Sequence, residues 1–393
     1  MGSDFTSHPG LKTARLGGIA LFRFLHTSDL HLGKRFGQMP EALRGRLTEA
    51  RHQSITRLND AAAERAVDTI LVAGDVFDTE TPAPATVRQA LQAMGARPQV
   101  RWFLMPGNHD SLQAEELWGR VANEAPGNVV LLLRPKPVAL APNVMLLPAP
   151  CPVHRPGRDL SEWMSDAKTP PETIRIGLAH GPVQAFGEDG GSDLIAPDRA
   201  MLSNLDYLAL GDWHGQIKIN ERTWYSGTPE TDRFKHDTPA QALLVEIEAA
   251  GSLPQVSPVP TAGFFWKDLS LDLVADEDAT ERLNHSMQGL HDRRNILLRL
   301  ASHGRVGLAA RAAIAKAAGQ AEADFAWMSY DDTTLGLEHE TGDLDAIDQA
   351  GALRQAAEAL LHEARSGEAS AEITRIAERA LSRLYAYCQE LEG

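Results

Sequence analysis

Between residues 21 and 250 the chain repeats one phrase: a short, continuous apolar run followed by a polar punctuation of Gly, Asp, Asn or His. The runs are Leu21–Leu25, Thr69–Ala73, Val100–Met105, Val129–Leu133, Val144–Leu147, Ile174–Ala179, Tyr207–Leu210 and Ala242–Ile247. Most do not alternate, which predicts strands buried on both faces. Helical spacing lies between several of them, with Leu43, Leu47, Ala50, Ile55 and Leu58 in one stretch and Val87, Leu91 and Met94 in another. Strand–helix alternation of this kind predicts an α/β sandwich with at least one mostly parallel sheet.

The pattern breaks at 251–262 (GSLPQVSPVPTA), where three prolines, a glycine and no charge predict a linker. Residues 1–20 read as a flexible leader and 21–250 as one domain. Beyond the linker, Phe264–Leu273, Ile296–Leu300 and Phe325–Tyr330 predict strands, with helical stretches near 279–291 and 305–321. Residues 263–336 are thus expected to form a small α+β domain. Residues 337–393 predict a helical hairpin. Leu353, Ala357, Leu360 and Ala364 share a face, Ser366-Gly367 interrupts, and Ile373, Ala377, Ala380, Leu384, Tyr387 and Leu391 step by four and three as in a coiled-coil seam. Such a hairpin packs on its own protein or docks a partner helix, and spacing does not choose between them.

Composition narrows the class. No stretch approaches the ~18 uninterrupted apolar residues of a membrane span, and Met1–Leu21 lacks the apolar core of a signal peptide. Cys151 and Cys388 make no disulfide framework and fit no zinc spacing, so a cytoplasmic enzyme is expected. The net charge of −15 argues against coating nucleic acid through bulk charge. It is uneven, however: residues 337–393 carry net −7 and residues 1–100 net +2, so a local basic face is compatible with the total.

Five punctuations carry chemistry: Ser28-Asp29-Leu30-His31, Gly74-Asp75-Val76-Phe77-Asp78, Gly107-Asn108-His109-Asp110, His180-Gly181 and Gly211-Asp212-Trp213-His214. Each follows an apolar run, and open α/β sheets bind ligands beyond the carboxyl ends of their strands. Carboxylate, imidazole and amide oxygen suit manganese, iron or zinc. A central carboxylate bridging two ions ~3.5–4 Å apart would clamp a phosphoryl group.

In this order the motifs resemble the calcineurin-like metallophosphoesterases. Asp29-Leu30-His31-Leu32-Gly33, Gly-Asp-Val-Phe-Asp and Tyr225-Ser226-Gly227-Thr228-Pro229-Glu230 are similar in particular to the SbcD-type DNA repair nucleases. The resemblance covers about residues 22–250. It implies a calcineurin-like α/β sandwich of two mixed sheets flanked by helices, then a small α+β capping, DNA-presenting domain and a C-terminal hairpin. It also implies two divalent metal ions, with manganese expected and magnesium, iron or zinc as alternatives. Asp29, His31 and His214 would hold the first, and Asn108, His180 and Asp212 the second, with Asp75 bridging. His109 would assist departure of the sugar oxygen while hydroxide attacks phosphorus in line. Asp110 and Asp78 would orient His109 and cap the loop after the bridge. The implied partners are DNA, an SbcC-like coiled-coil ATPase held by the hairpin, and a second copy of the chain, for which the apolar stripe Leu43–Leu58 is a weak pointer.

One position departs from the family, which usually has Gly-His-x-His where this chain has Gly211-Asp212-Trp213-His214. With three carboxylates, two divalent cations and a hydroxide the centre sums to zero rather than +1, which is expected to favour manganese or magnesium over zinc. Lys34, Arg35, Arg233 and Lys235, and the six cations within residues 34–57, are candidates for gripping a DNA backbone. His26 reads as packed, and His52 as a weak candidate for a phosphate contact. His154 and the histidines beyond the strand ends read as surface residues. Gly187–Asp193 lacks the lysine of a phosphate-binding loop. The alternatives to a DNA nuclease are a phosphoesterase for small nucleotides or phosphoproteins, and a non-catalytic DNA- or partner-binding scaffold.

Overall fold

The continuous apolar runs become the central strands of two six-stranded mixed sheets. In the computed structural model, residues 15–16, 19–183, 194–235, 238–275, 277–338, 344, 347–348, 351–366 and 370–392 are described. The chain divides into two units, Met1–Phe264 and Phe265–Gly393.

In the first unit one sheet has the order Gln255–Pro260, Gln241–Ile247, Phe22–Thr27, Thr69–Val72, Arg101–Leu104, Val129–Leu131. The four strands from Phe22–Thr27 onward are parallel and the first two antiparallel. The other sheet has the order Ile217–Asn220, Thr223–Tyr225, Tyr207–Gly211, Ile174–His180, Val144–Ala149, Val138–Ala141, with its four central strands parallel. Phe24, Leu71, Phe103, Leu146, Ile176, Leu178 and Leu243 form the core shared by the two sheets' strands. Leu25, Ile70, Val72, Trp102 and Leu104 point the opposite way and pack with residues of helices Glu41–Glu64, Pro84–Gly95 and Glu115–Glu124. Burial on both faces is why these runs do not alternate.

Three expectations change. Gln255–Pro260, read as linker, is an edge strand; Pro258 and Pro260 sit where a missing N–H costs no ladder bond on the open side. The Leu43–Leu58 stripe is no dimer surface, because Leu43, Leu47, Ile55 and Leu58 are buried within their own unit. Of the leader, Arg15–Leu16 pairs antiparallel with Ile19–Ala20, and the rest of 1–20 lies outside the described residues, as does Gly187–Asp193. His26 is packed as expected: the Tyr207 hydroxyl donates to Nδ1 (3.0 Å) and Nε2–H donates to the Leu210 carbonyl (3.2 Å). Burial pushes its pKa down to about 3, so the ring is neutral.

The second unit is built on strands Phe265–Leu273, Ile296–Val306 and Trp327–Leu337, all parallel, with helices Ala279–Met287 and Leu308–Ala321 in the crossovers. Helices Ala352–Arg365 and Ala371–Glu392 form the expected hairpin. It packs on its own unit: Ala357, Leu361, Leu381 and Cys388 cluster with Leu308, Leu337, Leu344 and Ile347. The buried stripe of the last helix therefore runs through Ala377, Leu381 and Cys388, and Ile373, Ile376 and Tyr387 remain exposed. A four-three repeat reports that a helix has an apolar face; the neighbouring helices choose which positions it covers. Among the described residues no helix is long and apolar enough to cross a membrane.

Candidate metal centre

All five punctuations sit at the carboxyl ends of parallel strands, three from one sheet and two from the other. The chain turns there through left-handed backbone at Asp29 (φ 54°), His31 (φ 40°), Asp75 (φ 53°) and Asp212 (φ 97°). Asp and His tolerate this region better than bulkier side chains, and clustered strain of this kind marks functional sites. The turns are cross-tied by backbone bonds, Asp29 N–H to Gly74 O (3.1 Å) and His31 N–H to Asp75 O (3.0 Å).

The seven predicted ligands come together although they span residues 29 to 214. Donor atoms of Asp29, His31 and His214 lie within 4.8 Å of one another, and so do those of Asp29, Asp75 and His180. Asp75 Oδ2 stands 3.5 Å from both His31 Nε2 and His180 Nε2. Asp212 Oδ1 is 3.8 Å from His180 Nε2 and accepts from Asn108 Nδ2 (3.2 Å), while the Asp212 N–H donates to the Asp29 carboxylate (3.2 Å). Asp212 thus belongs to the Asn108–His180 side.

Divalent cations fit this arrangement. His180 Nδ1–H donates to the Ala73 carbonyl (2.8 Å), which leaves a buried Nε2 with no hydrogen-bond partner, and Asn108 Oδ1 is equally orphaned. His214 Nδ1–H donates to Asp232 Oδ1 (3.0 Å), and His31 Nδ1 lies 3.2 Å from Asp78 Oδ1. The two rings thus face each other through Nε2 atoms 3.1 Å apart, close enough for both to serve one cation. Burial alone would raise the Asp75 pKa, but His180 and His31 beside it hold its carboxyl below the usual range. At His180 burial is likewise outweighed by Asp75, and its pKa is raised well above the ordinary value.

Several roles differ from expectation. The Asp110 carboxylate is bonded to backbone N–H groups rather than to the His109 ring. It is buried, caps the turn by accepting from Phe77 N–H (3.0 Å) and Gly107 N–H (2.7 Å), and burial pushes its pKa up to about 7. It is the Asp78 carbonyl that accepts from His109 Nδ1–H (3.1 Å), while the Asp78 carboxylate faces His31. The two aspartates exchange roles because residue 78 lies beside both rings.

Of the six cations of 34–57, Lys34, Arg51 and Arg57 are engaged within the fold, whereas Arg35, Arg44 and Arg46 are exposed. Lys34 Nζ is 2.8 Å from Asp232 Oδ2 and 3.9 Å from Asp78 Oδ1. Arg51 is 1% exposed and donates to the carbonyls of Glu230 (2.8 Å) and Asp29 (3.3 Å). Arg57 is bound to Glu230, Arg44 to the carbonyls of Met39 and Gly37, and Arg46 lies over the Phe264 ring. Arg233 Nε donates to Asp232 (3.1 Å), and its Nη2 approaches both His214 ring nitrogens (3.1 and 3.3 Å) and so selects neither tautomer. Lys235 stands over Trp213 at 4.7 Å, Arg35 is exposed, and His52 is buried.

Sequence reasoning missed Asp232. Asp232 is buried, and His214, Arg51 and Lys34 hold its carboxyl well below the ordinary range against the opposing effect of that burial. Its only signal is an Asp four residues after the Tyr225–Thr228 segment. Because the partners of histidine ligands fix tautomer and orientation, Asp232→Ala is expected to weaken manganese binding about 10–100-fold, read by calorimetric titration of the metal-free protein. Unchanged affinity would show that Asp232 serves the fold alone.

Residues 22–216 match the family model for calcineurin-like phosphoesterases. This segment is a calcineurin-like phosphoesterase domain, and the chain is a metal-dependent phosphodiesterase of the hydrolase class. Its relatives within that family are of the SbcD and Mre11 type. The chain is 27% identical over 291 residues to the SbcD component of nuclease SbcCD of Rhodobacter capsulatus, covering 61% of this chain and 69% of that one. It is 25% identical over 264 residues to DNA double-strand break repair protein Mre11 of Methanosarcina acetivorans, covering 64% and 41%. An uncharacterized metallophosphoesterase, YhaO of Bacillus subtilis, is 28% identical over 240 residues, covering 57% of each. The matched parts thus span between about two fifths and two thirds of these relatives' lengths.

Proposed function

We propose that this protein is a DNA nuclease of the SbcD type, cytoplasmic, acting in double-strand-break repair with a coiled-coil ATPase. The observation that carries the chemistry is Asp75, one carboxylate oxygen equidistant from His31 and His180 in a cluster that also contains Asp29, Asn108, Asp212 and His214. In this reading Asp29, His31 and His214 would hold one divalent ion and Asn108, His180 and Asp212 the other, with Asp75 placed to serve both. When bound, the ions activate water and neutralise charge on the phosphoryl oxygens, with manganese the expected metal. His109 is exposed at the edge of the cluster with Nδ1–H tied to Asp78 O, which leaves Nε2 for the leaving oxygen.

The nuclease assignment draws on the SbcD and Mre11 relatives. Residues 265–337 are assigned to handling the duplex, and the exposed Ile373, Ile376 and Tyr387 of the hairpin to the ATPase. With the cations beside Asp232 engaged internally, Arg35 and Lys235 are retained as candidates for backbone contacts, and the ATPase supplies much of the DNA affinity.

The test compares linear duplex DNA with a chromogenic phosphodiester in manganese, with and without a coiled-coil ATPase. Manganese-dependent degradation of the duplex is expected. Turnover of the diester with an intact duplex, ATPase present, would replace this reading with a phosphoesterase for small nucleotides.

A further inference from the structure

The segment after strand Val144–Ala149 is stitched along the turn that carries Asn108 and His109. Cys151 N–H donates to Pro106 O (3.1 Å), Leu112 N–H donates to Cys151 O (2.9 Å), and His154 Nδ1–H donates to Asn108 O (2.8 Å). Backbone bonds on both sides of Cys151 and a side-chain bond three residues later give His154 a place set by the fold.

That place continues a row of imidazoles. The His214 and His31 rings are 4.9 Å apart, His31 and His109 4.9 Å, and His109 and His154 5.9 Å, the last two pairs edge to face at 89° and 88°. The row begins inside the cluster and ends in solvent, for His109 and His154 are both exposed. The two outer rings are anchored alike, Nδ1–H on a backbone carbonyl, Asp78 O for His109 and Asn108 O for His154. A ring held this way presents Nε2 away from its anchor, free to meet an oxygen of a substrate phosphate. Arg155 and Arg158, exposed on the same segment, add positive charge beside it.

We infer that His154 is a second substrate-contacting imidazole, donating from Nε2 to a non-bridging oxygen of a substrate phosphate at the outer side of His109. The inference rests on the phosphodiesterase reading of the centre and adds to it a residue from outside the strand-end motifs. The contact falls on the scissile phosphate or on the next one along a strand; both are the same chemistry.

The experiment uses the full chain loaded with manganese and the variants His154→Ala and His154→Gln. Loss of a charge-assisted hydrogen bond predicts a fall of about tenfold or more in kcat/KM for His154→Ala, with part of it restored in His154→Gln, whose amide keeps a donor. A loss on both a single-phosphate chromogenic diester and an oligonucleotide assigns the contact to the scissile phosphate, and a loss on the oligonucleotide alone to its neighbour. Calorimetry with inorganic phosphate is expected to show weaker binding to His154→Ala, with bound manganese unchanged by elemental analysis. Unaltered kcat/KM on both substrates together with unaltered phosphate binding overturns the inference. So does a loss that tracks lost manganese, which would make His154 a support for the Asn108 turn. If the wild type hydrolyses neither substrate, the phosphodiesterase reading fails, and phosphate calorimetry alone then decides the His154 contact.

Discussion

Replacing Asp75 with asparagine is expected to cut metal-dependent hydrolysis by at least ~1,000-fold, about 4 kcal/mol of transition-state stabilisation. The substitution is nearly isosteric. The amide oxygen can still accept the His109 N–H that Asp75 Oδ1 now accepts at 2.9 Å, so the turn survives. What disappears is the negative charge midway between His31 and His180, on a group placed to serve both halves of the cluster. Manganese content should fall from two ions per chain to one or fewer, by elemental analysis, in step with turnover of a chromogenic diester. A variant that keeps two ions and turns over within tenfold of wild type would remove Asp75 from its bridging role.

A methyl group is expected to do nearly as much. Gly107→Ala places a Cβ against the Asp75 carboxylate oxygen and the Asp75 backbone nitrogen, with the carboxyl carbon at 2.8 Å. Gly107 is not among the positive-φ glycines, so the obstacle is contact rather than torsion. A backbone nitrogen at a strand end cannot swing aside as a flexible side chain can. The strain should cost about 1–3 kcal/mol of stability. Any shift that relieves it displaces Asp75, so a loss of about 100-fold or more in turnover is expected. Gly119→Ala is the control: it lies exposed within helix Glu115–Glu124 with nothing within 4 Å of its Cβ, and alanine there should stabilise by about 0.5–1 kcal/mol. Chemical denaturation and diester turnover of the two variants side by side check both signs. Equal behaviour would contradict the close approach at Gly107.

Much of the centre was legible because its chemistry is local to strand ends. A continuous apolar run marks a strand buried on both faces, and the polar residues that follow it leave the sheet at one edge, so Asp29, Asp75, Asn108, His180 and His214 could be nominated without knowing their separations. The hairpin was legible as two amphipathic helices. Its buried positions were legible only in part: Ala357 and Ala377 are buried as read, but Leu381 and Cys388, rather than Ile373 and Tyr387, complete the covered stripe of the last helix.

By itself, then, the order of residues determined the α/β architecture of the first unit, the five turns, and the donor types those turns carry, because each is written in the spacing of neighbours a few residues apart. The tertiary structure alone decided that Lys34 and Arg51 face Asp232 and the backbone beneath the cluster, that Asp78 rather than Asp110 steadies His109, and that His154 joins the row of imidazoles. These pairings connect residues 18 to 198 positions apart, as in Asp232 with His214 and Lys34 with Asp232. No periodicity encodes such a meeting. It exists only once both sheets are packed and buried polar groups have found the partners that burial obliges them to have.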